Sequence, residues 1–251
     1  MDGEEEVLVE KLQDLLDGEY PSIEDVNDLI EQIQTQCKVA GINVREKLKT
    51  LCIHQLISYV EYDEPLEIVK TLLNLCPNII NVSSKKYFQD TIEEGYYPLH
   101  AACQSAGYTD NVSDAIIELI LEKVLLDEDA KGLDHMCLLG DGVVECYKEV
   151  KGTPLHYYLS HGSRCNVDTV ERLLKACPEA LTTTDARYGF TPLHTIMIEF
   201  KPNLEVFKYL VQSNPSGLLT RDSYGRLPIH HASDNEDIRG NATNSTKFIP
   251  F

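Results

Sequence analysis

The chain is short of cations. Only 22 Lys and Arg stand against 41 Asp and Glu in 251 residues, which leaves a formal net charge of −19. No dense Lys/Arg run offsets this, so nucleic acid phosphates and anionic membrane surfaces are excluded as default partners; an acidic surface repels both. Long apolar runs are missing too: none approaches the roughly 18 residues that a bilayer-spanning helix needs. The opening Met1-Asp-Gly-Glu-Glu-Glu lacks the basic and apolar character of a secretory leader, so an intracellular location, cytoplasmic or nuclear, is expected. Eight cysteines in 251 residues are too dilute for a disulfide scaffold. Cys76 and Cys177 each stand directly before a proline and read as reduced, half-buried small hydrophobes. Catalytic signatures are lacking: no phosphate-binding Gly loop, Gly-x-Ser-x-Gly elbow, kinase signature or His-Glu-x-x-His occurs. The expectation is a non-enzyme without cofactor. What is present, 43% hydrophobic and 25% charged residues, is an ordinary globular composition.

The most informative pattern is internal repetition. A Pro-Leu/Ile-His triplet occurs at Pro98-Leu99-His100, Pro154-Leu155-His156, Pro192-Leu193-His194 and Pro228-Ile229-His230, with 56, 38 and 36 residues between successive histidines. Thr153 and Thr191 precede two of the triplets; Tyr97 and Leu227 take that place in the others. A glycine lies shortly upstream of each, at Gly95, Gly152, Gly189 and Gly225. Matching segments follow. Residues 166–178 (Asn-Val-Asp-Thr-Val-Glu-Arg-Leu-Leu-Lys-Ala-Cys-Pro) align with 203–215 and with 64–77, each with apolar residues at helical spacing and a terminal proline. Proline disfavours helical angles in the residue before it, so each helix should stop there. The polar stretches Asp185-Ala-Arg-Tyr-Gly189 and Asp222-Ser-Tyr-Gly225 read as tight turns.

Each unit is therefore a turn, a short helix, a loop and a longer helix. Threonine suits the helix N-cap, where its hydroxyl accepts an orphan backbone N–H, and proline suits the first helical position, where its missing N–H is no loss. This arrangement resembles the ankyrin repeat, a unit of about 33 residues carrying Thr-Pro-Leu-His. The resemblance covers roughly residues 45 to 234 and implies an all-α solenoid with short β-turn fingers. It also implies that His156 and His194 bond backbone groups at their own turn and bridge toward the neighbouring repeat.

The ends and the middle are less regular. Residues 1–43 read as an acidic helical cap, with amphipathic stretches at 7–16 and 22–34 and Ser22 as a helix cap; the first 31 residues hold 12 acids and one lysine. Thr50-Leu-Cys-Ile-His54 resembles a degenerate first motif without its proline, unless 44–59 is one continuous helix. The array then occupies 44–234 as four to five repeats, the last incomplete, and 235–251 forms a flexible tail. Beyond a helix at 113–124, residues 127–151 are an insertion. Asp141-Gly142 lies there between apolar, β-favouring runs, which predicts an elongated β-hairpin finger with Cys137 opposite Cys146. His135, Cys137 and Cys146 could share a face, but zinc wants a fourth ligand that cannot be named; with a Cys137–Cys146 disulfide as the other alternative, plain thiols are the default and no metal is assigned. His161 and His231 read as lone histidines with no special role.

For function, the resemblance implies a protein-binding scaffold whose concave face is made of fingers and first helices. Its contact positions fall on Arg187, Tyr188, Phe190, Tyr224 and Arg226, with Ala186 and Ser223 beside them, and on Tyr157 and Tyr158 of a first helix. Tyr and Arg are enriched at binding hot spots. The net charge implies a partner with a neutral or basic contact patch, and the scaffold is expected to be monomeric. The alternatives are a truncated or purely structural member without a dedicated partner, or an enzyme.

Overall fold

A computed structural model describes residues 4–18, 21–58, 64–82, 96–106, 112–126, 152–199 and 201–234. These residues are mostly helical and divide into two compact units, one ending before residue 127 and one beginning at 152. No described helix is long and apolar enough to cross a membrane. The expected hairpin at 127–151, with His135, Cys137 and Cys146, and the tail 235–251 fall outside the described residues, Lys151 included.

The first unit contains α1 (Glu4–Leu16), α2 (Ile23–Ala40), α3 (Val44–Leu48), α4 (His54–Ser58), α5 (Glu64–Leu75), α6 (Pro98–Ser105) and α7 (Val112–Leu126). Helix α1 starts three residues earlier than the apolar pattern predicts, because Glu4, Glu5 and Glu6 place negative charge at the positive end of the helix dipole. Ser22 caps α2 as expected, its Oγ accepting the Glu24 N–H at 3.2 Å. The helix runs past residue 34 because Cys37 continues the buried stripe of Val26, Ile30 and Ile33, and it stops at Gly41, whose φ of 69° is left-handed.

Residues 44–59 are not one helix. The chain breaks between α3 and α4, and His54 then behaves as a motif histidine, its Nε2 lying 2.8 Å from the Tyr96 carbonyl. Cys52 occupies the place that proline takes in the other motifs, and its backbone shows why proline is not there. Its N–H donates to Gln13 Oε1 at 2.7 Å, and its carbonyl accepts from Gln13 Nε2 at 2.9 Å. A proline would have no N–H to offer the side chain arriving from α1.

The second unit contains α8 (Pro154–Leu159), α9 (Val167–Ala176), α10 (Pro192–Ile198), α11 (Leu204–Ser213) and α12 (Pro228–Asp234). Asn166 and Asn203 cap α9 and α11 through Oδ1, accepting the Asp168 N–H at 2.7 Å and the Glu205 N–H at 2.9 Å. Both helices end before their prolines, and the chain tightens into 3₁₀ turns at Pro178–Leu181 and Pro215–Leu219. The core is formed by Leu155, Leu159, Val170, Leu173, Leu193, Ile196, Val206 and Leu210, all buried.

The motif histidines lock these pieces together. The Thr153 N–H donates to His156 Nδ1 at 3.2 Å, and His156 Nε2 meets the Phe190 carbonyl at 2.9 Å. An N–H can only donate and a carbonyl can only accept, so the ring is the neutral tautomer with its proton on Nε2. His194 repeats this between the Thr191 N–H, at 3.2 Å, and the Arg226 carbonyl, also at 3.2 Å. Where threonine is replaced, the ring still takes the backbone N–H: Tyr97 donates to His100 at 3.2 Å and Leu227 to His230 at 2.9 Å. The bond survives because the donor is backbone; the threonine hydroxyl only adds its own contact to Nδ1, at 2.9 Å for Thr153. Gly152 makes room for the ring, since a Cβ there would sit 2.6 Å from the His156 Cβ.

Two stability predictions follow from this geometry. Gln13→Ala strands the buried-side N–H of Cys52 and should lower unfolding free energy by about 1–3 kcal/mol in urea titrations; an unchanged midpoint and slope would remove that tie from the account. The second concerns pH. Burial holds His54 down to about 4, against the opposing bond to Tyr96, and holds His100 down to about 3, with His54 nearby adding to the effect, from an ordinary 6.5. Between 6.5 and those values the unfolded chain binds more protons than the folded one, so stability is full above pH 6.5 and falls as pH drops through the window. The loss between pH 7 and pH 5 should be about 2 kcal/mol for each ring. Replacing His54 by Gln should flatten that acid limb.

Candidate functional site

The turns before α10 and α12 share one construction. The Asp185 N–H donates to the Phe190 carbonyl at 2.8 Å, and Asp185 Oδ1 accepts the N–H groups of Tyr188 at 2.7 Å and Phe190 at 3.0 Å. The Asp222 N–H donates to the Arg226 carbonyl at 2.9 Å, and its Oδ1 accepts from Tyr224 at 2.9 Å and Arg226 at 2.8 Å. Both carboxylates are buried, so the acids face inward and the residues between them face out. Burial pushes the Asp222 carboxyl up, but the Arg226 N–H, the His231 ring and the Tyr224 N–H together outweigh it and hold the group below its ordinary value. Successive turns touch directly, the Ser223 N–H donating to the Tyr188 carbonyl at 2.9 Å.

Three of the predicted contact residues come together. The Arg187 guanidinium carbon lies 4.4 Å above the Tyr188 ring, and Tyr188 lies 6.3 Å from Tyr224, which is 69% exposed. Arg187 is exposed, with Ala186 and Ser223 exposed beside this row. Arg226 is half-buried and reaches the His230 carbonyl at 3.1 Å. Phe190 turns partly inward: it stacks on His194 at 5.7 Å and meets His231 edge-on at 4.9 Å. Tyr157 is half-buried on α8. Tyr158 does not lie on a contact face. It is 1% exposed, its hydroxyl accepts the Asn166 N–H at 3.0 Å, and its carbonyl accepts the Cys165 thiol at 3.1 Å. It sits on the inner side of α8, where a tyrosine fits because its hydroxyl finds a backbone partner.

Three features were not visible in the sequence pattern. His231 is not a lone histidine; its Nε2 lies 2.7 Å from Asp222 Oδ2. Nothing in the spacing marks that pair, because the turn alone brings them together. The turns are also locally cationic: Arg187, Arg221 and Arg226 surround them while Asp185 and Asp222 are tucked inside. Finally, Cys52 Sγ lies 3.0 Å from His54 Nδ1. A working nucleophile and base would need the proton on the imidazole. Here burial raises the thiol and lowers the ring to about 4, so the proton stays on sulfur and the pair is structural. None of the six described cysteines is in a disulfide, and five of them are buried.

No protein-family model matches the chain, and no curated protein matches it in sequence.

The two turn glycines should respond differently to a methyl group. Both have left-handed angles, φ 69° at Gly189 and 76° at Gly225, so alanine at either is strained by about 1 kcal/mol. At Gly225 a Cβ meets nothing within 4 Å, whereas at Gly189 it would lie 2.7 Å from Ser223 Oγ and 3.1 Å from the Ser223 nitrogen. Gly189→Ala should therefore destabilise by a further 1–3 kcal/mol or so beyond Gly225→Ala in thermal melts. Equal losses would show that the turns are not held against each other.

Proposed function

We propose that the chain is a non-catalytic protein-interaction scaffold of the ankyrin type, binding its partner on the turn face of the second unit. The observation that carries this reading is the pair of like turns bearing Arg187, Tyr188 and Tyr224 as a row on one face. The repeated histidine bridges from Thr153 to Phe190 and from Thr191 to Arg226 support the ankyrin reading, since they tie each short helix to the turn of the next unit. They also argue against catalysis by these histidines, because both ring nitrogens of His156 and His194 are committed to backbone groups.

The partner's chemistry follows from local charge rather than from the net charge of −19. A partner patch meeting this face encounters Arg187, Arg221 and Arg226, with the two nearby aspartates turned away. That favours a neutral or acidic patch carrying carboxylates for the guanidinium groups, in place of the neutral or basic one that the overall charge implies. Tyr224 supplies a rigid ring whose burial against a partner is worth about 2 kcal/mol or more at a hot spot.

The double variant Tyr224→Ala with Arg226→Ala tests the face. A partner captured by the intact chain and identified by mass spectrometry should bind this variant at least about 30-fold more weakly, which corresponds to about 2 kcal/mol, with melting unchanged. Affinity equal to that of the parent chain would place the site elsewhere.

A further inference from the structure

Three metal-ligating atoms converge in the second unit. One ligand atom from each of His194, Asp222 and His231 lies within 4.8 Å of the other two, contributed by α10, the following turn and α12. His194 is fully buried, Asp222 is 6% exposed and His231 is half-buried. The carboxylate is already aimed: two backbone N–H groups hold Oδ1, which leaves Oδ2 to face the imidazoles. Phe190 walls the cluster, lying flat against His194 and edge-on to His231. An apolar wall excludes water and strengthens the attraction between a cation and its ligands.

We propose that His194, Asp222 and His231 bind a divalent first-row transition metal, with Zn²⁺ as the representative ion, joining α10 to α12. Two imidazole nitrogens and one carboxylate oxygen form a donor set suited to such ions rather than to Ca²⁺ or Mg²⁺. Around a tetrahedral zinc with bonds of about 2.0–2.1 Å, ligand atoms stand about 3.3 Å apart. The His231–Asp222 pair, now at 2.7 Å, opens slightly and His194 closes toward it. Three protein ligands leave a fourth position for water.

His194 has to release Nε2 for this, and its surroundings allow it. Its bridge to the Arg226 carbonyl is 3.2 Å, longer than the equivalent bonds of His54 at 2.8 Å and His156 at 2.9 Å. When the proton moves from Nε2 to Nδ1, the Thr191 hydroxyl, 2.8 Å from Nδ1, accepts the new N–H bond, and the Thr191 backbone N–H gives up its bond to Nδ1 in exchange. The ring then donates from the nitrogen that does not ligate, the usual support for a metal-bound histidine. His231 likewise keeps one proton by carrying it on Nδ1.

The preceding turn supplies the control. Thr195 stands where His231 stands in the next motif, so His231→Thr introduces a side chain that the same helix position already accommodates. Co²⁺ titrated into the full chain should give visible d–d absorption for one ion per chain, without the near-ultraviolet band of cobalt bound to thiolate, and Zn²⁺ should displace it. Asp222→Asn, which keeps an oxygen for the turn N–H groups, and His231→Thr should each weaken binding by about 100-fold or more, with melting of the metal-free proteins checked first. Absence of the Co²⁺ spectrum at millimolar metal overturns the proposal. So does an unchanged spectrum in His231→Thr, or a thiolate band, which would place the ion on the cysteines. Should Asp222→Asn fail to fold, His231→Thr alone decides.

Discussion

The rest of the structure depends on an imidazole held between two backbone groups. In each complete instance, Nδ1 accepts the N–H that begins a short helix, and Nε2 donates to a carbonyl of the turn that follows more than thirty residues later, as from His156 to Phe190 and from His194 to Arg226. Donor and acceptor are dictated by backbone chemistry, so a ring that makes both bonds is neutral and in one tautomer. Burial enforces the same state, lowering His156 and His194 as it does His54 and His100. One ring therefore satisfies an orphan helix N–H and fixes the distance to the next turn. Around it there is little freedom: Gly152 cannot carry a Cβ, and the following turn has to present its carbonyl at the right height.

How much of this could be read from the sequence depended on whether the cause was local. Helix starts at Ser22, Asn166 and Asn203, helix ends before Pro77, Pro178 and Pro215, and the glycine turns at Gly189 and Gly225 are all set by residues within one turn of chain, and the pattern shows them. His54 was ambiguous because its motif lacks the proline, and the reason lies in Gln13, thirty-nine residues away in sequence. Tyr158 was misplaced on the contact face because neighbouring tyrosines look alike in sequence; only the hydrogen bond from Asn166 reveals that its hydroxyl is consumed in the interior. The Asp222–His231 pair was hidden for the same kind of reason, since neither residue belongs to the repeating triplet.

Net charge was the least transferable property. A chain at −19 suggests a surface uniformly hostile to anions, yet the turns of the second unit invert the sign locally. The inversion has a structural origin. A tight turn leaves backbone N–H groups without partners, and an aspartate carboxylate is the short side chain that can collect two of them at once. Using Asp185 and Asp222 in that way withdraws their charge from the surface, and the arginines between and beside them then dominate what a visitor meets. Fields act over roughly 8–10 Å in physiological salt, so at contact the charges within that range count for more than the net charge of the chain.

The same turn chemistry shows how two like turns come to differ at a residue outside the motif. Each aspartate spends one oxygen on the turn and leaves the other buried. At Asp185 that second oxygen has no hydrogen-bond partner among the described residues, a strained arrangement for a buried acceptor. At Asp222 the helix position after the motif histidine holds His231 instead of a threonine, and the oxygen is satisfied at 2.7 Å. One residue difference between two like turns gives the second oxygen a partner beside His194, while the glycine turn and the aspartate's bonds to the turn N–H groups are the same in both. The residues that hold these turns and the residues that differ between them occupy adjacent but separate positions.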